Sequence, residues 1–448
     1  MEENITIQEI MTEPADRVIE MFKSRRADID HETNMAQLDP SRHDINDESI
    51  RPKKTVKRGN DTVLQDVTRL AMPFQKLIVS RSAAFLIGEG INLMADPDSD
   101  LEKEMQDMVE GVWHDNKLDY QTRKLARKWM SEIEVAEHWY IHEKNGKQRL
   151  RMQIWSRSEG DLLYPYFDEY GDLQAFGRGY KIGDIEYMDI WTSDKAYYYH
   201  NIEGTWSIKE ERPNVLGKIP VIYYVREKTE WQDVQSLIDR YEKLVSDFSD
   251  ANDYFASPMV TVKGRVLGFA EKGEQGKVLQ LEENAEVSYL TWNQAPEAVK
   301  LEEELLRNGI FFLTQTPDIS FREMKGLGAS ISGVALQMMF MDARLKALEH
   351  QEEFGEGLQR RINLIKAAIA VIDRRMQGAQ EMTIEPEFVF YMPKNEEELV
   401  RMLVTATGNR PVVSQETAVM NSPFTMNAQK EYERVKEDEA GFFGNVTL

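Results

Sequence analysis

The loop "TQTPDISFREMKGLGASISG", residues 314–333, sets a glycine pair beside Arg322, Lys325 and several hydroxyl side chains, the make-up of many phosphate-binding turns. A P-loop places its lysine after the last glycine and follows a buried strand, so that successive backbone N–H groups converge on the anion. Here Lys325 precedes both Gly326 and Gly328, and the residues upstream read as a helix. The cradle is not assembled. A second candidate is "AEHWYIHEKN", in which His138 and His142 are four apart with Glu143 adjacent. On a helix that spacing could hold a zinc ion. The order is not H-E-x-x-H, however, and "WYIHEKNGKQRLRMQI" reads as a strand and hairpin, so structural histidines are the better reading. Carboxylates abound, but no Asp or Glu pair is set among apolar residues that would raise one pKa for acid–base work. No G-x-S-x-G elbow occurs, and the 7 histidines are too scattered to nominate a triad.

The totals narrow the field further. A chain of 448 residues has room for two or three domains, and 41% hydrophobic content supplies their cores. There are 0 cysteines, so disulfides and thiolate metal sites are excluded. The formal net charge of -23 repels phosphate backbones on average, which argues against a tight DNA binder but not against a protein that handles DNA without holding it. The acidic, amphipathic start "MEENITIQEIMTEPADRVIEMF" lacks the apolar core of a secretory signal, and runs such as "AAIAVI" fall far short of a membrane span. A soluble, cytoplasmic-type protein without a cofactor is expected.

The elements that must position these residues can be read in order. Residues 1–25 predict a helix with Ile10, Met11, Val18, Ile19 and Phe22 on one face. Residues 26–62 are polar and include "RPKKTVKRGND", whose Lys53, Lys54, Lys57 and Arg58 form either a partner patch or a solvated loop. Helices are predicted over 63–86, closing at Gly88 or Gly90, and over about 99–137. From 138 to 225, short β-branched and aromatic runs cut by Gly, Asn and Asp predict antiparallel strands. A clean stripe, Val234, Leu237, Ile238, Tyr241, Leu244, Val245, Phe248 and Ala251, predicts a long helix over 230–256. Its opposite face carries Asp239, Glu242, Asp247, Asp250 and Asp253. A small β insert follows, then a helix over 296–313, the opening loop, and a helical pattern over 331–376 with an expected bend at Gly355 and Gly357. The strand "IEPEFVFYM" and short helices, one capped at Asn395 and one starting at Ser414, complete the chain.

Laid out in this order, the chain resembles the portal proteins of tailed bacteriophages, of the type found in long-tailed phages of Gram-positive hosts. The resemblance is carried by "RLAMPFQKLIVSRSAAFLIGEGI", by "NVLGKIPVIYYVREKTEWQDVQSLIDRYEKLVSDFSDANDYFASPMVTVKG" and by "MPKNEEELVRMLVTATGNRPVVSQETAVMNSPF", and it spans roughly residues 60–437. It implies an α+β chain with an α/β wing, a helical stem, a small β-rich clip, a long kinked helix and a short helical crown. Mapped onto this sequence, the wing is 1–229, the stem helices are 230–256 and 296–313, and the clip is 257–295. The tunnel loop is then 314–330, the long bent helix and returning wing strand 331–393, and the crown 394–448.

The resemblance further implies a homo-oligomeric ring, usually of twelve subunits, at one capsid vertex. Double-stranded DNA passes through its channel during packaging and ejection. Expected partners are the terminase large subunit, which hydrolyses the ATP, the major capsid and scaffolding proteins, and the head–tail adaptor; no membrane is involved. The place of action is the virion, and the host cytoplasm during assembly. DNA-facing residues are expected in the tunnel loop: Asp318, Ser320, Phe321, Arg322, Lys325, Gly326, Gly328 and Ser330. Clip contacts are expected at Lys263, Arg265, Lys272 and Glu283. Catalytic and metal-ligating residues are not expected. The alternative from another class is a metal-dependent nucleic-acid-processing enzyme centred on the β-rich middle around His138 and His142.

Overall fold

The computed structural model describes residues 6–26, 28–58, 61–255, 259–264, 266–269, 279–281, 286–290, 295–318, 338–390, 414–420 and 430–436. Residues 1–317 and 343–391 form one compact unit, and 318–342 with 392–448 form a second. In the first unit the predicted N-terminal helix is two helices, α1 (Ile7–Ile10) and α2 (Ala15–Ser24), parted at Pro14, which has no N–H to continue a helix. Their apolar stripe is buried as expected. Ile10, Val18, Ile19 and Phe22 cover Tyr164, Met188 and Tyr199 of a five-stranded antiparallel sheet.

That sheet is a meander of β6 (Leu162–Phe167), β7 (Leu173–Ile182), β8 (Ile185–Thr192), β9 (Lys195–Ile202) and β10 (Thr205–Pro213), placed in sequence order. A second sheet has the order β11-β4-β5, from β4 (Glu134–Lys144), β5 (Lys147–Trp155) and β11 (Val221–Val225). The predicted strand region is therefore borne out. The helix expected over 99–137 is instead α5 (Asp100–Asp115) and α6 (Leu118–Glu132), hinged at Lys117 with a positive φ of 52°, and β4 begins at Glu134.

Two further departures matter for function. Residues 26–62 are not a solvated loop: they hold α3 (His31–Leu38), two single 3₁₀ turns and β1 (Lys54–Arg58). The helix predicted over 63–86 starts only at Phe74 (α4, Phe74–Ile87), because β2 (Asp61–Gln65) pairs with β1 and an irregular stretch, 66–73, follows. Strand β3 (Gly90–Ala95) comes next.

The long amphipathic helix is α7 (Gln235–Phe255), entered by a 3₁₀ turn at Gln232–Val234. The β insert contains β12 (Met259–Lys263), β13 (Val266–Phe269), β14 (Leu279–Leu281) and β15 (Glu286–Leu290), with β12 paired to β15 and β13 to β14. Helix α8 (Ala295–Leu313) returns antiparallel to α7, with Tyr241 Oη donating to Glu303 at 2.9 Å and Arg240 donating to Glu302 at 2.6 Å. Phe74 packs edge-on against Tyr241 and Phe311, tying α4 to both.

Helix α9 (Met341–Ile372) runs through Gly355 and Gly357 as one continuous element. The second glycine is explained by packing. A Cβ on Gly357 would sit 2.0 Å from Tyr224 Cε1, so only glycine lets the ring lie against the helix. Beyond it Leu358, Ile362, Ile365 and Ile369 are buried in the main core with Trp129, Trp139 and Trp231. Within that core Arg361 and Glu137 are 0% exposed and joined by two hydrogen bonds of 3.0 and 2.9 Å. Tyr224 Oη donates to the same carboxylate and Arg361 donates to Thr122 Oγ1. A short strand, β16 (Ile384–Val389), pairs with β3. In the second unit α10 (Gln415–Met420) is capped by Ser414, whose Oγ accepts from Thr417 N, as its sequence predicted.

Candidate functional site

Most of the loop in which DNA-facing residues are expected lies outside the described residues: Ser320, Phe321, Arg322, Lys325, Gly326, Gly328 and Ser330 all do, as do Arg265, Lys272 and Glu283 of the β insert and the capped helix at Asn395. Asp318 is described and half-buried. Lys263 is described and exposed at the end of β12, opposite Glu286 of β15.

The near end of the loop is built with care. Helix α8 ends in a Schellman arrangement, with Thr316 N donating to Phe311 O at 3.0 Å and Gln315 in the left-handed region at φ 51°. Lys346 Nζ donates to Thr314 O at 2.6 Å and Arg81 donates to Pro317 O at 2.8 Å, so α9 and α4 each hold one carbonyl of the exit. Lys346 also pairs with Glu230 at 2.5 Å, and the same carboxylate meets His350 at 3.2 Å and Arg226 at 2.6 Å. Burial pushes the Glu230 carboxyl up, but His350, Lys346 and Arg226 outweigh it and hold it well below the usual carboxylate range. The residues that enter α7 and those that leave α8 are thus fastened to one ionic node.

A second construction lies along α7. Glu242, Ser246 and Asp250 repeat every four residues and form one polar stripe. They accept backbone N–H groups from Met72 at 2.6 Å, Leu70 at 3.0 Å and Thr68 at 2.8 Å. Four helical residues advance about 6 Å and two residues of extended chain at most about 7 Å, so the two ladders keep step. Arg51 fastens the outer end, donating to Asp247 and Asp250 at 2.7 and 2.9 Å and to Thr68 O at 2.9 Å. Lys54 pairs with Asp250 and Lys53 with Asp66. At the inner end His43 Nδ1 meets Glu242 at 2.7 Å and Nε2 meets Gln37 O at 2.7 Å. Both partners are acceptors, so the geometry asks for a doubly protonated ring. Burial lowers the His43 pKa, yet Glu242 outweighs it and the net shift is upward.

This arrangement revises the sequence reading. Lys53, Lys54 and Arg51 of the basic cluster neutralise carboxylates of the same chain, and Glu242, Asp247 and Asp250 of the acidic face bind a strap of chain that includes Arg51, Lys54 and residues 66–73. No local pattern announces a helix stripe that accepts main-chain donors from a segment about 180 residues away. The only signal was the i, i+4, i+8 recurrence of short acceptors.

The histidine pair does not converge. On β4 four residues span about 13 Å, far beyond the reach of two imidazoles to one ion. His138 stacks on Trp155 at 4.3 Å between ring centroids, while His142 is exposed at the far end of the strand. Burial and the charge of Arg178 push the His138 pKa down to about 3, so it is a neutral aromatic packing element.

The model of the family described as "Phage portal protein, SPP1 Gp6-like" matches residues 29–441. The curated "Portal protein" of Bacillus phage SPP1 is 20% identical over 401 residues, covering 83% of this chain and 76% of that protein. Among solved structures, a chain in the neck of an empty gene transfer agent particle with C6 symmetry is 12% identical with a TM-score of 0.43, covering 77% of this chain and 87% of its own. A chain in the native particle's neck with C12 symmetry gives 12% and 0.39, covering 78% and 89%.

Proposed function

The chain belongs to the phage portal protein family, SPP1 Gp6-like, and from that premise we propose that its copies close into a ring at one vertex of a phage or prophage capsid. Double-stranded DNA passes through the ring during packaging and ejection. The observation that carries the proposal is the family match over residues 29–441, which takes in the antiparallel pair α7 and α8 with the β insert between them. In this reading the wing is 1–229, α7 and α8 form the stem, residues 257–295 the clip, 314–330 the tunnel loop, 331–393 the long helix and returning wing strand, and 394–448 the crown.

Arg322 and Lys325 touch phosphates transiently, while Gly326 and Gly328 let the loop reshape as a helical polymer slides past. Asp318, Ser320, Phe321 and Ser330 share the loop. Lys263, Arg265, Lys272 and Glu283 face the terminase large subunit and the head–tail adaptor. The formal charge of -23 per subunit keeps the sleeve from gripping DNA. The protein itself hydrolyses neither nucleotide nor nucleic acid; its work is passage and docking, in the virion and, during assembly with capsid and scaffolding proteins, in the host cytoplasm. The Schellman turn and the Lys346 and Arg81 anchors support a fixed root from which such a loop moves.

Native mass spectrometry of the purified chain, repeated with scaffolding and capsid protein, tests this. A closed ring of about twelve copies of the 52.0 kDa chain is expected. A species that stays monomeric or dimeric in both preparations overturns it.

A further inference from the structure

The β1–β2 ribbon makes little use of its own chain. Every residue of β2 is exposed, Leu64 at 66% and Val63 at 42%, and a lone two-stranded ribbon is marginal in water. Its base is nonetheless fastened firmly to α7 through Arg51, Lys54 and Thr68. The register pairs Thr55 with Leu64 and Lys57 with Thr62, so Leu64 and Lys57 lie diagonally on one face of the ribbon. Lys57 is exposed and forms no ion pair among the described residues.

Helix α8 has the matching vacancy of partners. Glu297, Leu301, Leu305 and Phe312 form one outward stripe, with Leu301 60%, Leu305 64% and Phe312 74% exposed. Glu297 likewise forms no ion pair among the described residues. A carboxylate one helical turn, about 6 Å, from an exposed leucine faces a cation and an exposed leucine about 7 Å apart across the ribbon. The level also agrees. Because Arg240 meets Glu302 and Tyr241 meets Glu303, the start of α8 lies beside the part of α7 near Asp247 and Asp250, where the ribbon is rooted. Rotation about a ring axis that follows α7 and α8 leaves height along the axis unchanged, so features at one level of one copy meet features at the same level of the next. The ribbon is rooted on the polar stripe of α7, whereas the α8 stripe points away from α7, so the contact is between unlike surfaces, the kind that closes a ring.

We infer that the β1–β2 ribbon of one subunit docks on the outer stripe of α8 in a second copy of this chain, Leu64 against Leu301 and Lys57 against Glu297; this rests on the ring reading above. Because the chain has 0 cysteines, Leu64→Cys with Leu301→Cys tests it directly. Oxidation of the purified ring is expected to give a ladder of covalent multimers on a non-reducing gel, absent from either single variant. Separately, Lys57→Glu is expected to lower the ring fraction about tenfold at fixed protein concentration, and Lys57→Glu with Glu297→Lys to restore it, a recovery that misfolding would not permit. A ring that forms normally in the wild type, gives no ladder with the cysteine pair, and is unchanged by Lys57→Glu overturns the docking while leaving the ring intact. If the wild type forms no ring at all, the ring reading itself fails and the docking with it.

Discussion

Two polar constructions in this chain are held by opposite means. In the core, Arg361 and Glu137 are both 0% exposed, and their side chains bond one another, with Tyr224 and Thr122 as further partners. Along α7, side-chain acceptors instead hold the main chain of a separate segment, one amide at a time. The first is an all-or-nothing node: each ion is tolerable only because the other is present. The second is a ladder whose rungs can open one by one. The contrast separates a body fixed by a buried ion pair from a helix surface whose attachments open singly.

The contrast can be broken most severely at the node. Arg361→Met leaves the Glu137 carboxylate buried without its counter-charge and is expected to cost about 3–5 kcal/mol. Urea unfolding reads this as a lower midpoint, and Arg361→Met with Glu137→Met together should recover most of the loss. Next comes Gly357→Ala, which drives a methyl into the Tyr224 ring. A cost of about 1–3 kcal/mol is expected by the same measurement. Asp250→Ala should act differently. It removes an acceptor from Thr68 N and partners from Arg51 and Lys54, so about 1–2 kcal/mol is lost. Hydrogen exchange should quicken at Thr68 and Leu70 while amides in the buried half of α9 stay protected. A uniform loss of protection in both places would show that the two regions are not separable.

The smallest effect sharpens the comparison through pH. His43 is faced by Glu242 and Asp239 of α7 and by the Gln37 carbonyl, and its pKa in the folded chain is raised above the ordinary value. Its contribution is therefore fully present below about pH 6.5 and is lost as pH rises through the folded-state value. Once corrected for intrinsic rates, exchange at Met72 should quicken as pH rises above about 6.5 and through the folded-state value. His43→Phe should flatten that dependence. A pH-independent Met72 would rule out the imidazolium as the lock.

Much of this architecture is legible from the residues. The α7 stripe, the meander from 162 to 213 and the cap at Ser414 follow from periodicity, turn residues and capping chemistry, and each forms as expected. What escaped is tertiary in origin. Gly357 reads only as a point of bending, because its packing reason, the Tyr224 ring, comes from a strand more than a hundred residues upstream. The segment from 26 to 73 reads as loop then helix because its order depends on acceptors that α7 supplies. The His138 and His142 spacing has a different meaning on a strand than on a helix, and only the element type decides between them. Of the expected DNA-facing and partner-facing residues, Asp318 and Lys263 are placed in the described residues, and the others lie beyond them.

The ladder on α7 has a consequence for how such a chain can diverge. At positions 68, 70 and 72 the groups that Glu242, Ser246 and Asp250 hold are amide hydrogens, and every residue except proline presents one. The side chains at 68 and 70 take no part in these three bonds, so substitutions there other than proline leave the path of the chain over the helix intact. A fastening of this kind asks of the sequence only that three acceptors recur on successive helical turns.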